Sequence, residues 1–304
     1  MKAIKWDRVE EYAFKTFNTI FMVCLVIVTL YPFLNTIAVS FNEGLDTIRG
    51  GIFLMPRKFT WQNYRAVFST GTVYHAFYIS LVKTALNTIL GVFLCTMLAY
   101  PLSRKEYIFR KPITTVLVLT MYFSAGLIPG YMLIKYLHLV NNFWVYVIPS
   151  LISAFNVIVI RTYIGTIPES LVESARIDGA GEFRIFLQII FPLCKPVLAT
   201  VALFIAVGAW NSWFDTFLYA PSKQELSTIQ YELMKLLAST TANNADPGLR
   251  AGVSAGGEAV AKAMVTPTSI RAAITVVAAA PILMVYPFLQ KYFVVGLNVG
   301  GVKE

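Results

Sequence analysis

The chain has 304 residues, a formal net charge of +9, 57% hydrophobic residues and only 13% charged ones. Its mean hydropathy of +0.65 lies outside ordinary soluble usage, so a water-soluble globular domain is excluded and a membrane protein is expected. Cys24, Cys95 and Cys194 fall in or beside apolar runs without metal-ligand spacing, and read as small buried hydrophobes.

A basic segment with Lys2, Lys5, Arg8 and Lys15 opens the chain and precedes a first apolar run, Thr16–Ser40. Ala38-Val39-Ser40 has the form of a signal cleavage site. The run nevertheless exceeds a signal core of about 7–15 residues, so it is read as an uncleaved span. Phe41–His75 follows as an outer segment. The second span, Ala76–Leu102, carries Lys83 and Asn87 four residues apart, on one helical face. Arg104, Lys105, Arg110 and Lys111 then crowd one short loop. Spans three and four, Pro112–Ile134 and Phe143–Tyr163, are short and interrupted, and the fourth contains Ser153 and Asn156. Span five, Pro196–Tyr219, contains Trp210, Asn211, Trp213 and Asp215, with Asn211 and Asp215 at i,i+4. A second outer segment, 220–271, has a turn signal at Asn243–Gly248. The sixth span is Ala272–Gln290. Lysine and arginine in the short loops place both termini in the cytoplasm.

Between spans four and five lies a polar island, Glu169–Pro196. Pro168 suits a first helical turn, Glu169 and Glu173 favour the helix dipole there, and Glu173 can pair with Arg176 at i,i+3. Gly179 and Gly181 can supply a turn. A second helical pattern, Glu182–Ile190, puts Phe183, Phe186, Leu187 and Ile190 on one side before Pro192 stops it. The expected product is a helix–turn–helix knob. Glu173-Ser174-Ala175, three residues, Gly179, nine residues, Ile189 and Phe191-Pro192 resembles the EAA loop of ABC importer permeases, with Ser174 and Phe191 replacing the usual Ala and Leu. Phe59-Thr60-Trp61-Gln62-Asn63-Tyr64, Gly126-Leu127-Ile128-Pro129, Trp210-Asn211-Ser212-Trp213 and Gln290-Lys291-Tyr292-Phe293 resemble carbohydrate permeases of the maltose-importer type, in a branch handling oligosaccharides from polysaccharides.

That resemblance implies an all-α membrane protein: a single permease domain over 1–304, with six transmembrane helices and a cytoplasmic coupling loop at 169–196, in the type I importer arrangement. It implies Glu173, Ser174, Ala175, Arg176, Asp178 and Gly179 as the surface gripped by an ATPase. Its implied partners are a second homologous permease, two ABC ATPases carrying ATP and Mg, an external solute-binding protein and an oligosaccharide. The expected location is the bacterial cytoplasmic membrane, among lipid. No cofactor in this chain, metal, catalytic residue or nucleic-acid partner is expected. GxxxxGK[ST] and HExxH are both missing from the sequence.

Polar groups within membrane spans are costly and therefore functional candidates. Lys83, Asn87, Asn156, Trp210, Asn211, Trp213 and Asp215 form the candidate substrate path, since amides beside indoles suit sugars. Structural alternatives stand beside this. Buried amides hydrogen-bond helices together, the indoles can anchor at the interface, and Lys83 can snorkel outward. The outer segments hold nine basic against six acidic side chains, a balance that would steer uronate-bearing sugars or an acidic binding protein. A self-contained secondary transporter is the competing function, with a possible Lys83–Asp215 pair as its charge couple. An intramembrane enzyme would have to be built on His75 or His138, the only histidines.

Overall fold

The computed structural model describes residues 3–69, 71–245 and 265–298, and these are helical apart from connecting segments and one bridge between Asn42 and Phe59. Two compact units divide the chain, Met1–Thr70 with Lys235–Ala278, and Gly71–Met234 with Ala279–Glu304.

In the first unit, α1 (Ala3–Ser40) is one continuous helix through Pro32. Phe17, Phe21, Leu25 and Val28 all stand exposed along it, an apolar surface suited to lipid rather than water. Where α1 ends, a polar knot replaces apolar packing. α2 (Gly44–Ile48) and α3 (Gln62–Ser69) flank an extended segment. The fully buried Asn63 donates to the carbonyls of Ser40 and Asn42, both at 2.8 Å. Asn42 and Arg57 each donate to Asp46 at 3.0 Å. The Asn42 hydrogen bond, with that of Arg57, holds the Asp46 carboxyl below its ordinary pKa against the opposing effect of burial. That contribution to stability is therefore present above the ordinary carboxylate range and fades as pH falls through the lowered value. Phe41, Phe59, Trp61 and Tyr64 pack their rings over the knot.

The second unit is built around α4 (Gly71–Ser103), 33 residues long. Its neighbours are broken. α5 (Arg110–Tyr122) and α6 (Leu127–Tyr136) meet at 120°, with Gly126 at φ +86° in the break. Two 3-10 turns (Phe143–Tyr146 and Ile148–Ser150) lead at 43° into α7 (Ala154–Ile164). The polar island forms α8 (Ser170–Ile177), α9 (Glu182–Ile185), a π-helical turn and α10 (Phe191–Leu193). An 81° bend at Cys194 then starts α11 (Lys195–Asn211). α12 (Phe214–Tyr219), α13 (Ile229–Ala245) and α14 (Pro267–Asn298) complete the order.

Three single helices are long and apolar enough to cross a bilayer, and counting each bent pair as one span raises the number to six. The expected fifth span is displaced. The bent pair joins residues 182–193 to α11, α11 stops at Asn211, and α12 is separate. Pro192 does not stop the second island helix but lies inside α10, which follows the π-helical turn without a break. Asn243–Ala245 end α13 instead of turning, while Asp246–Gly248 lie outside the described residues.

Asn63→Ala should cost the first unit about 2 kcal/mol by orphaning buried carbonyls. Trypsin would then cut faster at Arg57 and Lys58 in the folded protein, and an unchanged cleavage rate would show the knot to be dispensable.

Candidate functional site

α4 supplies the polar core of the second unit. Lys83, 1% exposed, places its ammonium 2.6 Å from Asp215 Oδ2, just after the break between α11 and α12. The same ammonium donates to the Ser212 carbonyl in that break at 3.4 Å and lies 4.9 Å from the centre of the Tyr146 ring. Lys83 thus points inward rather than snorkelling. One turn on, Asn87 Nδ2 donates to the Lys83 and Tyr146 carbonyls at 3.0 and 2.9 Å. Ser150 Oγ donates to Asn87 Oδ1 at 2.6 Å. Asn87 therefore closes the broken entry to α7 and has little capacity left for a ligand.

These groups border a cavity of about 280 Å³, walled by Phe204, Ile205 and Ala209 of α11. Asn156 reaches it from the first turn of α7, 6% exposed, and nothing among the described residues hydrogen-bonds its amide. Of the seven path candidates, Lys83, Asn87, Asn156 and Asp215 gather here. Trp210 instead packs against Phe77, ring centroids 5.6 Å apart, and lines a separate apolar hollow with Leu203 and Pro281. Asn211 is exposed and accepts from Gln230 at 3.4 Å. Trp213 caps α12 and packs with Phe214 and Phe217. The expected Asn211–Asp215 face does not form because the helix breaks between them. Ser153 likewise stands at the N-cap position of α7, just outside the helix that carries Asn156. Tyr146 and Ser150 were not anticipated, and only the Pro149 beside them hinted at the irregular backbone they stabilise.

The island is a knob with an apolar root. Val172, Ala175, Ile185, Phe186 and Ile190 bury themselves with Leu102, Ile160 and Ile164. Of the expected apolar face, Phe186 and Ile190 are buried, whereas Phe183 stays 62% and Leu187 39% exposed. Gly179, at φ +79°, ends α8, with Ala180 N–H donating to Ala175 O and Gly179 N–H to Arg176 O. This is a Schellman closure that favours glycine. Glu173, Ser174, Asp178 and Gly179 are exposed, whereas Ala175 is 8% exposed and faces the root. Arg176 does not pair with Glu173. It binds Glu182 at 2.8 Å and Glu106 at 3.0 Å, and Tyr100 of α4 donates to Glu182 at 2.7 Å. Ile177, 86% exposed at the knob tip, escaped notice in the sequence, where it reads as one more apolar residue. His75 binds the Glu225 carbonyl at 2.7 Å, and His138 takes φ +56° in the turn after α6. No cluster of metal-ligating side chains occurs among the described residues.

A family model described as the binding-protein-dependent transport system inner membrane component matches residues 12–214. The chain belongs to that family. It is thus a permease component of the ABC importer class, whose relatives are transport subunits rather than enzymes. It is 35% identical over 283 residues to the polygalacturonan/rhamnogalacturonan transport system permease protein YtcP of Bacillus subtilis (strain 168), covering 93% of this chain and 96% of that one. It is 29% identical to the arabinooligosaccharides transport system permease protein AraQ of the same organism, covering 94% of each. A solved bacterial ABC transporter involved in importing the acidic polysaccharide alginate shares its fold at a TM-score of 0.83. Identity there is 26%, covering 93% of this chain and 98% of that one.

Replacing Lys83 by Met or Asp215 by Leu alone should destabilise the permease by about 3 kcal/mol, because each leaves an uncompensated charge. The double replacement should cost less than the sum, as a thermal-unfolding cycle would measure. Additive losses would mean that the two charges do not depend on each other.

Proposed function

We propose that this permease is one of two in an ATP-driven importer of oligosaccharides, including uronate-bearing fragments of acidic polysaccharides. An external solute-binding protein would deliver the sugar. The observation that carries the reading is Asn156, whose amide has no hydrogen-bond partner among the described residues and lines a cavity with one apolar wall and one polar wall, in a member of this transport family. An amide of this kind can meet sugar hydroxyls while the Phe204 ring meets an apolar sugar face. The uronate element rests on the polygalacturonan-transporting relative and the alginate importer. The cavity itself does not select for acid, since the Lys83 charge is met by Asp215. Two of the nine outer cations, Arg57 and Lys58, are likewise paired, with Asp46 and Glu43.

The chain would lie in the bacterial cytoplasmic membrane as six spans, three of them bent, with both termini and the island at 169–196 inside. Glu173, Ser174, Arg176, Asp178 and Gly179 would meet one of two ATPases, which bind ATP and Mg, and the exposed Ile177 would add an apolar contact. Ala175 would support that surface from within. ATP-driven closure would move the knob as a body, and the cavity between α4, α7 and α11 would change the side to which it opens. A secondary transporter would use Lys83 and Asp215 as a proton-linked pair. Uptake that persists without a proton gradient while ATP is maintained would exclude it.

The test is to assemble the chain with its partner permease, ATPase subunits and binding protein. ATPase stimulation is then measured with neutral and uronate-bearing oligosaccharides. Stimulation by the acidic class is expected. Glu173→Lys and Gly179→Asp should abolish uptake while the complex still reaches the membrane. Normal uptake in both variants would remove the coupling role from this surface.

A further inference from the structure

A second concavity, of about 630 Å³, lies on the second unit where the α4–α5 loop meets α5 and α7. Lys105, Arg110, Lys111 and Arg161 all line it, and no carboxylate does. Arg161 comes from the last turn of α7 and donates to Thr114 of α5 at 3.1 Å. Among the described residues, the only ion pair made by these four cations is an exposed one, Lys105 with Glu169 at 3.4 Å. Loop charge alone can be explained by topology. That does not explain why a helix contributes a fourth cation, held by a threonine onto the same wall. Like charges gathered in one concavity repel, and an anion placed among them relieves that repulsion.

The surroundings decide the kind of anion. Ile108, on the pocket wall, is 87% exposed. Phe109 beside it is 59% exposed, and Val116 and Leu119 continue an exposed apolar strip along α5. A soluble phosphate has no use for that strip, whereas a lipid needs cations for its headgroup and an apolar track for its chains. We propose that this pocket holds the headgroup of an anionic phospholipid. Its phosphate would sit among Arg110, Lys111 and Arg161, with its glycerol and acyl chains running along Ile108 and α5. Basic pockets between membrane helices are suited to such headgroups. The assignment rests on the membrane reading of α5 above, but not on the identity of the sugar.

Native mass spectrometry of the delipidated complex with its partner permease and ATPases would test it. The probes are phosphatidylglycerol, phosphatidylcholine and inorganic phosphate. Phosphatidylglycerol should be retained and phosphatidylcholine not. Arg110→Gln and Lys111→Gln, in partly or fully exposed side chains, should each weaken retention roughly fivefold. Lys223→Gln, outside the pocket, should leave it unchanged. Equal retention of both lipids, retention indifferent to Arg110 and Lys111, or displacement by inorganic phosphate at matching concentration would each overturn the lipid assignment. Sugar-stimulated ATPase activity in the same preparation separates the two readings. Stimulation without selective lipid retention removes the lipid site alone, and retention without stimulation supports the lipid site while removing the proposed oligosaccharide substrate.

Discussion

Two side chains one turn apart on α4, Lys83 and Asn87, satisfy the breaks in two other apolar segments. A bilayer offers no water to an interrupted helix, so freed carbonyls and stray charges must be met by protein. Asn87 takes the Tyr146 carbonyl where the fourth apolar segment is broken, and Lys83 takes Asp215 and the Ser212 carbonyl where α11 gives way to α12. Remove either and the irregular backbone around the cavity loses its reason to stay in place. These residues are therefore better understood as supports for the cavity, which leaves Asn156 as the cavity-lining amide with no hydrogen-bond partner among the described residues.

The same helix reaches the knob. Its last turns bring Tyr100 to Glu182, which holds Arg176, which also holds Glu106. Such exposed ion pairs contribute little energy individually. The buried root of Val172, Ile185, Phe186 and Ile190 against Leu102 supplies the attachment, and the polar network fixes its orientation. A displacement of the knob would thus be passed to α4, and so to Lys83 and Asn87. That continuity is the physical basis for linking the two ends of the second unit, and it requires nothing more than rigid packing.

Much of this could be read from the sequence. The long apolar runs became α1, α4 and α14, and the glycine at 179 became a left-handed helix terminus. Lys83 and Asp215 were legible as a pair only as the charge couple of a secondary transporter, and the ion pair forms at 2.6 Å. What could not be read was where the helices break. Hydropathy averages over a window and does not register a carbonyl released at Ser212 or Tyr146. Misplacing those breaks put Asn211 and Asp215 on one imagined face and drew Trp210 and Trp213 towards the cavity. The Arg176 partner was missed for a related reason. A local i,i+3 contact with Glu173 is visible in sequence, but Glu106, 70 residues away, is brought near only by the fold.

The most direct measurement is accessibility at Asn156. In a Cys24→Ser background, with Cys95 and Cys194 both buried, Asn156→Cys would be exposed to a membrane-impermeant thiol reagent from outside. Labelling should be absent in the resting complex and appear when sugar-loaded binding protein and trapped ATP hold it in the opposite state. Labelling that is equal in the two states, or missing from both, would contradict a cavity that alternates its access.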